Sequence, residues 1–144
     1  MEIVKLTSEH SAAVAAIEEI CFSTPWSENA ILHEVTNPIS YWLVAVENGQ
    51  VLGYVGSQYG YGEADMMNLA VVPDFRKRGI GQQLVAELIS HLDDLHVKSL
   101  TLEVRQSNYA AVNLYEKMGF QQVGLRPNYY QKPKEAALIL RKEW

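Results

Sequence analysis

The chain has a single cysteine, Cys21, so no internal disulfide can form. The residues before it, Ile17-Glu18-Glu19-Ile20, place it on the apolar side of a helix, a setting for a packed core thiol rather than a nucleophile. No apolar run approaches the roughly 20 residues needed to cross a membrane. The N-terminus also lacks the basic-then-apolar pattern of a secretory signal. The expectation is a soluble, cytoplasmic protein with no membrane partner. Four histidines, His10, His33, His91 and His96, show no metal-ligand spacing, and no metal role is assigned to them. Basic residues are outnumbered, 12 Lys and Arg against 17 Asp and Glu, for a formal net charge of −5. That balance argues against a nucleic-acid partner despite the local run Arg76-Lys77-Arg78, and it suits a basic protein partner. No repeat, linker or low-complexity segment interrupts the 144 residues, 48% of them hydrophobic, which suit one globular domain over 1–144.

The patterning that is present alternates between the two regular periods. Glu2 to Leu6 alternate as a strand, and Thr7 or Ser8 can cap a helix whose apolar face includes Val14, Ile17 and Cys21. Pro25 breaks that pattern, and Ser27 can cap a second short helix to about Val35. From Tyr41 two β-rich runs flank Asn48-Gly49, a strong hairpin signal. Tyr59 to Gly62 turn the chain again into a strand over Ala64 to Val72. A helix follows from Gly79 to about Leu95, then a strand from Ser99 to Arg105, then a helix capped by Ser107 or Asn108 and stopped after Met118 by Gly119 in the left-handed conformation. Phe120 to Leu125 and Ala136 to Arg141 supply two last strands. The order predicts an α/β fold, a mixed central sheet of about seven strands flanked by about four helices, with one parallel crossover through the helix after Gly79.

The stretch Asn68 to Gln82 joins an apolar strand end, a proline, a basic turn and paired glycines. Leu84, Val85, Leu88, Ile89 and Leu92 recur at helical spacing behind it, so a helix begins at Gly79 to Gln82. Its unpaired N–H groups and positive dipole end can hold an anion on backbone alone. Gly79 and Gly81 remove side chains that would hold a diphosphate away, and Arg76, Lys77 and Arg78 add charge. A dinucleotide fingerprint would need glycine at Leu84, and a Walker loop would need Gly-Lys-Ser/Thr, which is absent. The alternative is an ordinary basic turn between strand and helix.

Two further places carry candidate chemistry. Asn108 and Tyr115 lie within ~20° of each other around a helix and roughly 10 Å apart along it. Only Ala111 and Val112 stand between them, a face suited to a long thin ligand, unless Tyr115 is a half-buried packing residue. Glu103 sits between Leu102 and Val104 in an interior strand, where burial would make it a better base than a solvated glutamate. The alternative is an ion pair with Arg105 on the same face.

The spacing Arg76-x-x-Gly79-x-Gly81 resembles the acyl-CoA signature of the GNAT N-acetyltransferase superfamily. The combination Leu102-Glu103-Val104-Arg105 with Asn108, Ala111 and Leu114 to Phe120 resembles the corresponding part of those enzymes. With Pro25-Trp26-Ser27 and Asn128-Tyr129-Tyr130 the chain is similar to the bacterial ribosomal-protein alanine N-acetyltransferase family (RimI-like) over essentially its whole length. One departure is Glu135-Ala136-Ala137, where relatives carry an acidic-Asp-Ala triplet, which bears on the acceptor end. The resemblance implies acetyl-CoA as acetyl donor. Leu69, Ala70 and Val71 would pair with the pantetheine arm, and Lys77, Arg78, Gly79, Ile80, Gly81 and Gln82 would hold the diphosphate. Asn108 would contact the pantetheine, Glu103 would be the base and Tyr115 the acid. The implied acceptor is the N-terminal alanine of the eighteenth small-subunit ribosomal protein, with Trp26, Tyr129 and Tyr130 either lining its groove or plugging the core. A GNAT enzyme acting on another N-terminus, a lysine or a small amine is the alternative.

Overall fold

A computed structural model describes residues 1–144. The chain runs β1 (Glu2–Lys5), α1 (Ser11–Cys21), α2 (Glu28–Thr36), β2 (Ser40–Glu47), β3 (Gln50–Gly60), β4 (Glu63–Val71), α3 (Ile80–Asp94), β5 (Ser99–Arg105), α4 (Tyr109–Lys117), β6 (Gln121–Gln131) and β7 (Lys134–Glu143). Local chemistry sets most of these ends. Asn48 and Gly49 both take positive φ, 51° and 76°, the turn that matches the twist of β2 and β3. The next turn is tighter than the sequence suggests: β3 continues through Tyr59 and Gly60, and Tyr61-Gly62 repeat the same geometry at 54° and 78°. Ser27 accepts a hydrogen bond from the Ala30 N–H at 3.1 Å and so starts α2. Gly119, at φ 94°, ends α4.

The seven strands form one sheet in the order β1-β2-β3-β4-β5-β7-β6. Its single parallel pair is β4 with β5, linked by α3 as the crossover. Because β5 and β6 are both antiparallel to β7, they run in the same direction, with β7 inserted between them. Period-two alternation gives the sheet two apolar faces. Leu100, Leu102 and Val104 meet Ile80, Leu84, Val85, Leu88 and Leu92 of α3 in a core of 18 buried residues. On the other face, Val14 and Ile17 of α1 and Ile31 of α2 close over Trp42, Val44 and Tyr54. Each aliphatic side chain so buried contributes about 1.5–3 kcal/mol. Truncating fully buried Leu88 to alanine is therefore expected to cost about 2–5 kcal/mol.

The last hairpin is longer than the sequence predicts. Rather than 120–125 and 136–141, β6 runs to Gln131 and β7 starts at Lys134. The polar stretch from Arg126 onward lacks alternation, yet it pairs with β7 across a register shift between Arg126 and Tyr130.

Candidate functional site

The sheet opens at its centre. β4 and β5 pair only through Glu63–Ser99, Ala64–Leu100 and Asp65–Thr101, so Met66 to Val71 and Leu102 to Arg105 diverge. The cause lies on the other side of β4. Gly56 pairs with Asn68 but Ser57 pairs with Met66, leaving Met67 as the extra residue of a bulge, which bends β4 away from its parallel neighbour. The Val72 N–H donates to the Leu52 carbonyl at 2.8 Å, so by alternation Ala70 also faces β3. Leu69 and Val71 then turn their backbone groups into the gap, an internal strand edge of the kind an extended ligand can join.

Where β4 ends, α3 begins. Gly79 takes φ 79° and accepts the Gln83 N–H at 3.0 Å, and no side chain caps the helix. α2 and α4, by contrast, are capped by Ser27 and Asn108. The amides of Ile80, Gly81 and Gln82 are thus left for an anion. A Cβ on Gly79 would meet no protein atom within 4 Å, so it would project into the space in front of the helix end. Gly81 works differently from the expectation. Its Cβ would lie 3.8 Å from Leu114 and 3.9 Å from Leu69 and Val71, so this glycine keeps the wall of the gap thin instead of clearing the anion site. Arg76 also departs from its expected place. It turns back to the Val71 carbonyl (3.1 Å) and the Cys21 sulfur (3.2 Å), because the strand end offers it an unpaired acceptor. Cys21 is accordingly partly buried, in contact with a guanidinium. Lys77, at φ 65°, and Arg78, over the Phe75 ring at 4.8 Å, complete the turn. Shape and donor set fit a diphosphate.

Tyr115 is 5% exposed, packs edge-on against Phe120 at 5.5 Å, and brings its hydroxyl 3.7 Å from the Met66 sulfur, where the strands part. Burial, and secondarily Tyr130, raises its pKa well above that of a free phenol, so it is a proton donor at ordinary pH. Asn108 does not lie on the helix with it. Its Oδ1 accepts the Ala111 N–H at 3.3 Å as the N-cap, the place asparagine competes for best, and only its Nδ2 is left to face a ligand.

Glu103 emerges on the opposite face of β5 from Leu102 and Val104. It is less enclosed than its strand position suggests: the side chain is 28% exposed, and its partner is Arg126 at 3.6 Å rather than Arg105. Arg105 is held instead by Glu135 at 3.3 Å and by the carbonyls of Pro133 and Lys132 at 2.8 and 3.2 Å. Glu135 also accepts the Ser107 N–H at 2.6 Å, so the divergent Glu-Ala-Ala triplet fixes the turn between β5 and α4. In β6 the register shift and Asn128 at φ 57° swing Tyr129 toward Glu103, whose carboxylate raises the pKa of that phenol. Tyr130 lies under Arg105 at 4.3 Å. Trp26, partly buried, packs edge-on to Trp42 at 5.3 Å and donates its backbone N–H to Glu18, contacts that fit the plugging alternative.

Sequence reasoning missed Glu18, fully buried and hydrogen-bonded by Tyr54, by Asn68 at 2.8 Å and by the Trp26 N–H at 2.8 Å. The signal was present, since Glu18 falls on the helix face of Val14 and Ile17. A cavity of 270 Å³ between α2 and the start of β2 lies at the other end of the sheet. The buried carboxylate on its wall, Glu34, is already filled by Asn37, Ser40 and Gln58.

Comparison with known proteins places this geometry. The model of the acetyltransferase (GNAT) family matches residues 10–120. The putative ribosomal protein bS18-alanine N-acetyltransferase of Bacillus subtilis is 35% identical over 128 residues, 88% of this chain and 85% of that protein. The Escherichia coli ribosomal protein bS18-alanine N-acetyltransferase is 34% identical over 141 residues, 96% of this chain and 94% of its own length. The crystal structure of the ribosomal-protein-S18-alanine N-acetyltransferase from Escherichia coli superposes with a TM-score of 0.91 at 33% identity, covering 99% of this chain and 92% of that one. The fold is therefore shared with these enzymes, and the chain belongs to the GNAT acetyltransferase family as an acetyl-CoA-dependent N-acetyltransferase.

Proposed function

We propose that residues 1–144 form one domain that acetylates the N-terminal α-amine of a protein, the N-terminal alanine of ribosomal protein bS18, with Glu103 as base and Tyr115 as acid. The observation that carries this reading is the gap between β4 and β5, with Glu103 on its β5 side and the Tyr115 hydroxyl at the point where it opens. The names of the relatives support the acceptor. The bound donor supplies an acetyl group already activated as a thioester, so no covalent nucleophile is needed.

Lys77, Arg78 and the amides of Gly79 to Gln82 hold the diphosphate. The backbone groups of Leu69 and Val71 align the pantetheine arm as an added strand, while Ala70 between them stays paired to β3, and the Asn108 Nδ2 reaches the arm from the start of α4. Glu103 takes the proton that the amine nitrogen loses as its bond to the acetyl carbon forms. Tyr115 gives its proton to the sulfur as the carbon–sulfur bond breaks, a role its buried, protonated state supports. An α-amine titrates near about 7.7–8.0 and lysine near about 10.4, so one glutamate suffices more readily for an N-terminus. The test is incubation of the protein with acetyl-CoA and a bS18 N-terminal peptide, read by fragment mass. One acetyl group on the alanine nitrogen is expected, and acetyl found only on lysine would move the acceptor to the alternative class.

A further inference from the structure

We propose that Arg126 makes the site selective for amines that arrive uncharged, by standing as a fixed positive charge at Glu103. The inference rests on the reading of Glu103 as the base for an acceptor amine. Arg126 Nε lies 3.6 Å from Glu103 Oε1, with the arginine side chain 57% exposed and the glutamate side chain 28% exposed. Its place is built in by β6. The register with β7 shifts between Arg126 and Tyr130, leaving Pro127 to Tyr129 without strand partners, and the guanidinium lies 5.7 Å over the Tyr129 ring, whose hydroxyl also interacts with Glu103.

The other groups near Glu103 do not supply this charge. Arg105, on β5 itself, is held by Glu135 of β7 and stacks on Tyr130 of β6. Asp65 of β4, on the same face as Glu103 through its pairing with Thr101, is acidic. Tyr129 and Tyr130 are neutral phenols at ordinary pH, with pKa values raised by Glu103 and by burial respectively. Arg126 is the one cation that makes an ion pair with the base.

An amine reaching Glu103 as ammonium must share the carboxylate with the guanidinium. Two like charges about 4 Å apart in water-like surroundings repel by about the equivalent of a fivefold loss in affinity. A neutral amine does not meet that repulsion. Near pH 8 about half of an α-amine population is neutral, whereas lysine and polyamines are almost wholly charged. Arg126 therefore acts as a positioning and screening residue that turns a difference in basicity into a difference in binding.

The test uses wild type, Arg126→Gln and Arg126→Lys with two peptides of one sequence, one with a free α-amine and one with the α-amine blocked and a lysine free. The blocked peptide is measured as a competitive inhibitor of α-amine acetylation. In Arg126→Gln its inhibition constant is expected to tighten about fivefold, with acetyl-CoA affinity unchanged and Arg126→Lys close to wild type. The KM of the α-amine peptide should fall in Arg126→Gln at pH 6.5 and match wild type at pH 9, where the amine is neutral. An unchanged or weakened inhibition constant, or the same KM change at both pH values, overturns the inference alone. Failure of wild type to acetylate the α-amine peptide overturns the proposed function with it.

Discussion

Gly79 and Gly81, two residues apart in one motif, should respond to alanine with opposite signs. Gly79 is held at φ 79°, a conformation that a Cβ disfavours by about 1–2 kcal/mol. For a chain of this length, each kcal/mol shifts Tm by about 2–4 °C, so Gly79→Ala should unfold about 2–8 °C below wild type. Gly81 has an ordinary helical backbone, and its added Cβ would make contacts of 3.8–3.9 Å, which need no adjustment. Removing the conformational freedom of that glycine is worth up to about 1 kcal/mol, so Gly81→Ala should unfold at or up to about 4 °C above wild type. The two variants should also separate in ligand binding. Titration calorimetry with acetyl-CoA should show weakened binding for Gly79→Ala, whose methyl enters the space before the helix end, and near-normal binding for Gly81→Ala. In Gly81→Val the branched carbons would press Leu114 away from Leu69 and Val71, so acetyl-CoA binding should be lost from a folded domain, at an overpacking cost of about 1–3 kcal/mol. Equal Tm values for the two alanine variants, or full acetyl-CoA affinity in Gly81→Val, would refute the assignment of these two roles.

Other consequences can be checked separately. Glu103→Gln should lower turnover on the order of 10²- to 10⁴-fold with acetyl-CoA affinity intact, measured by steady-state kinetics beside calorimetry. Tyr115→Phe should slow transfer, and less so with an acyl donor whose thiol leaves more easily. Tyr54→Phe leaves buried Glu18 short of a donor and should cost about 1–3 kcal/mol in urea unfolding. Burial, with Glu18 for Tyr54 and Tyr130 for Tyr115, raises both phenols above their unfolded value of 10.0. Their contribution to stability is thus complete below about pH 10 and is lost as pH rises beyond it, so the urea midpoint should hold up to about pH 10 and fall progressively above it.

What could be read from the sequence was what neighbours along the chain determine. Asn48-Gly49, the Ser27 cap, the strand Ser99 to Arg105 and the helix opening at Gly79 all follow from local dihedral preference and periodicity. The fold class followed from their order. The details of the site depend on pairings between distant residues, and these left no local mark. The gap exists because Met67 is an extra residue relative to β3, a matter of register between strands. Arg126 reaches Glu103 past the intervening β7, and the stretch that positions it has no alternation to mark it as strand. Asn108 shows the opposite failure. Its spacing to Tyr115 is helical, but the side chain satisfies the helix end first and stands outside the face that counting assigned to it.

Under the proposed function a protein α-amine is acetylated and a side-chain or small-molecule amine is not. The decisive measurement is competition, in one vessel with limiting acetyl-CoA, among a bS18 N-terminal peptide, the same peptide with its α-amine blocked and a lysine free, and a polyamine, each followed by mass. Acetyl is expected on the first alone, at a rate that falls with ionic strength as salt screens the attraction between a chain of net charge −5 and a basic acceptor. Equal or faster acetylation of the blocked peptide or the polyamine would contradict it.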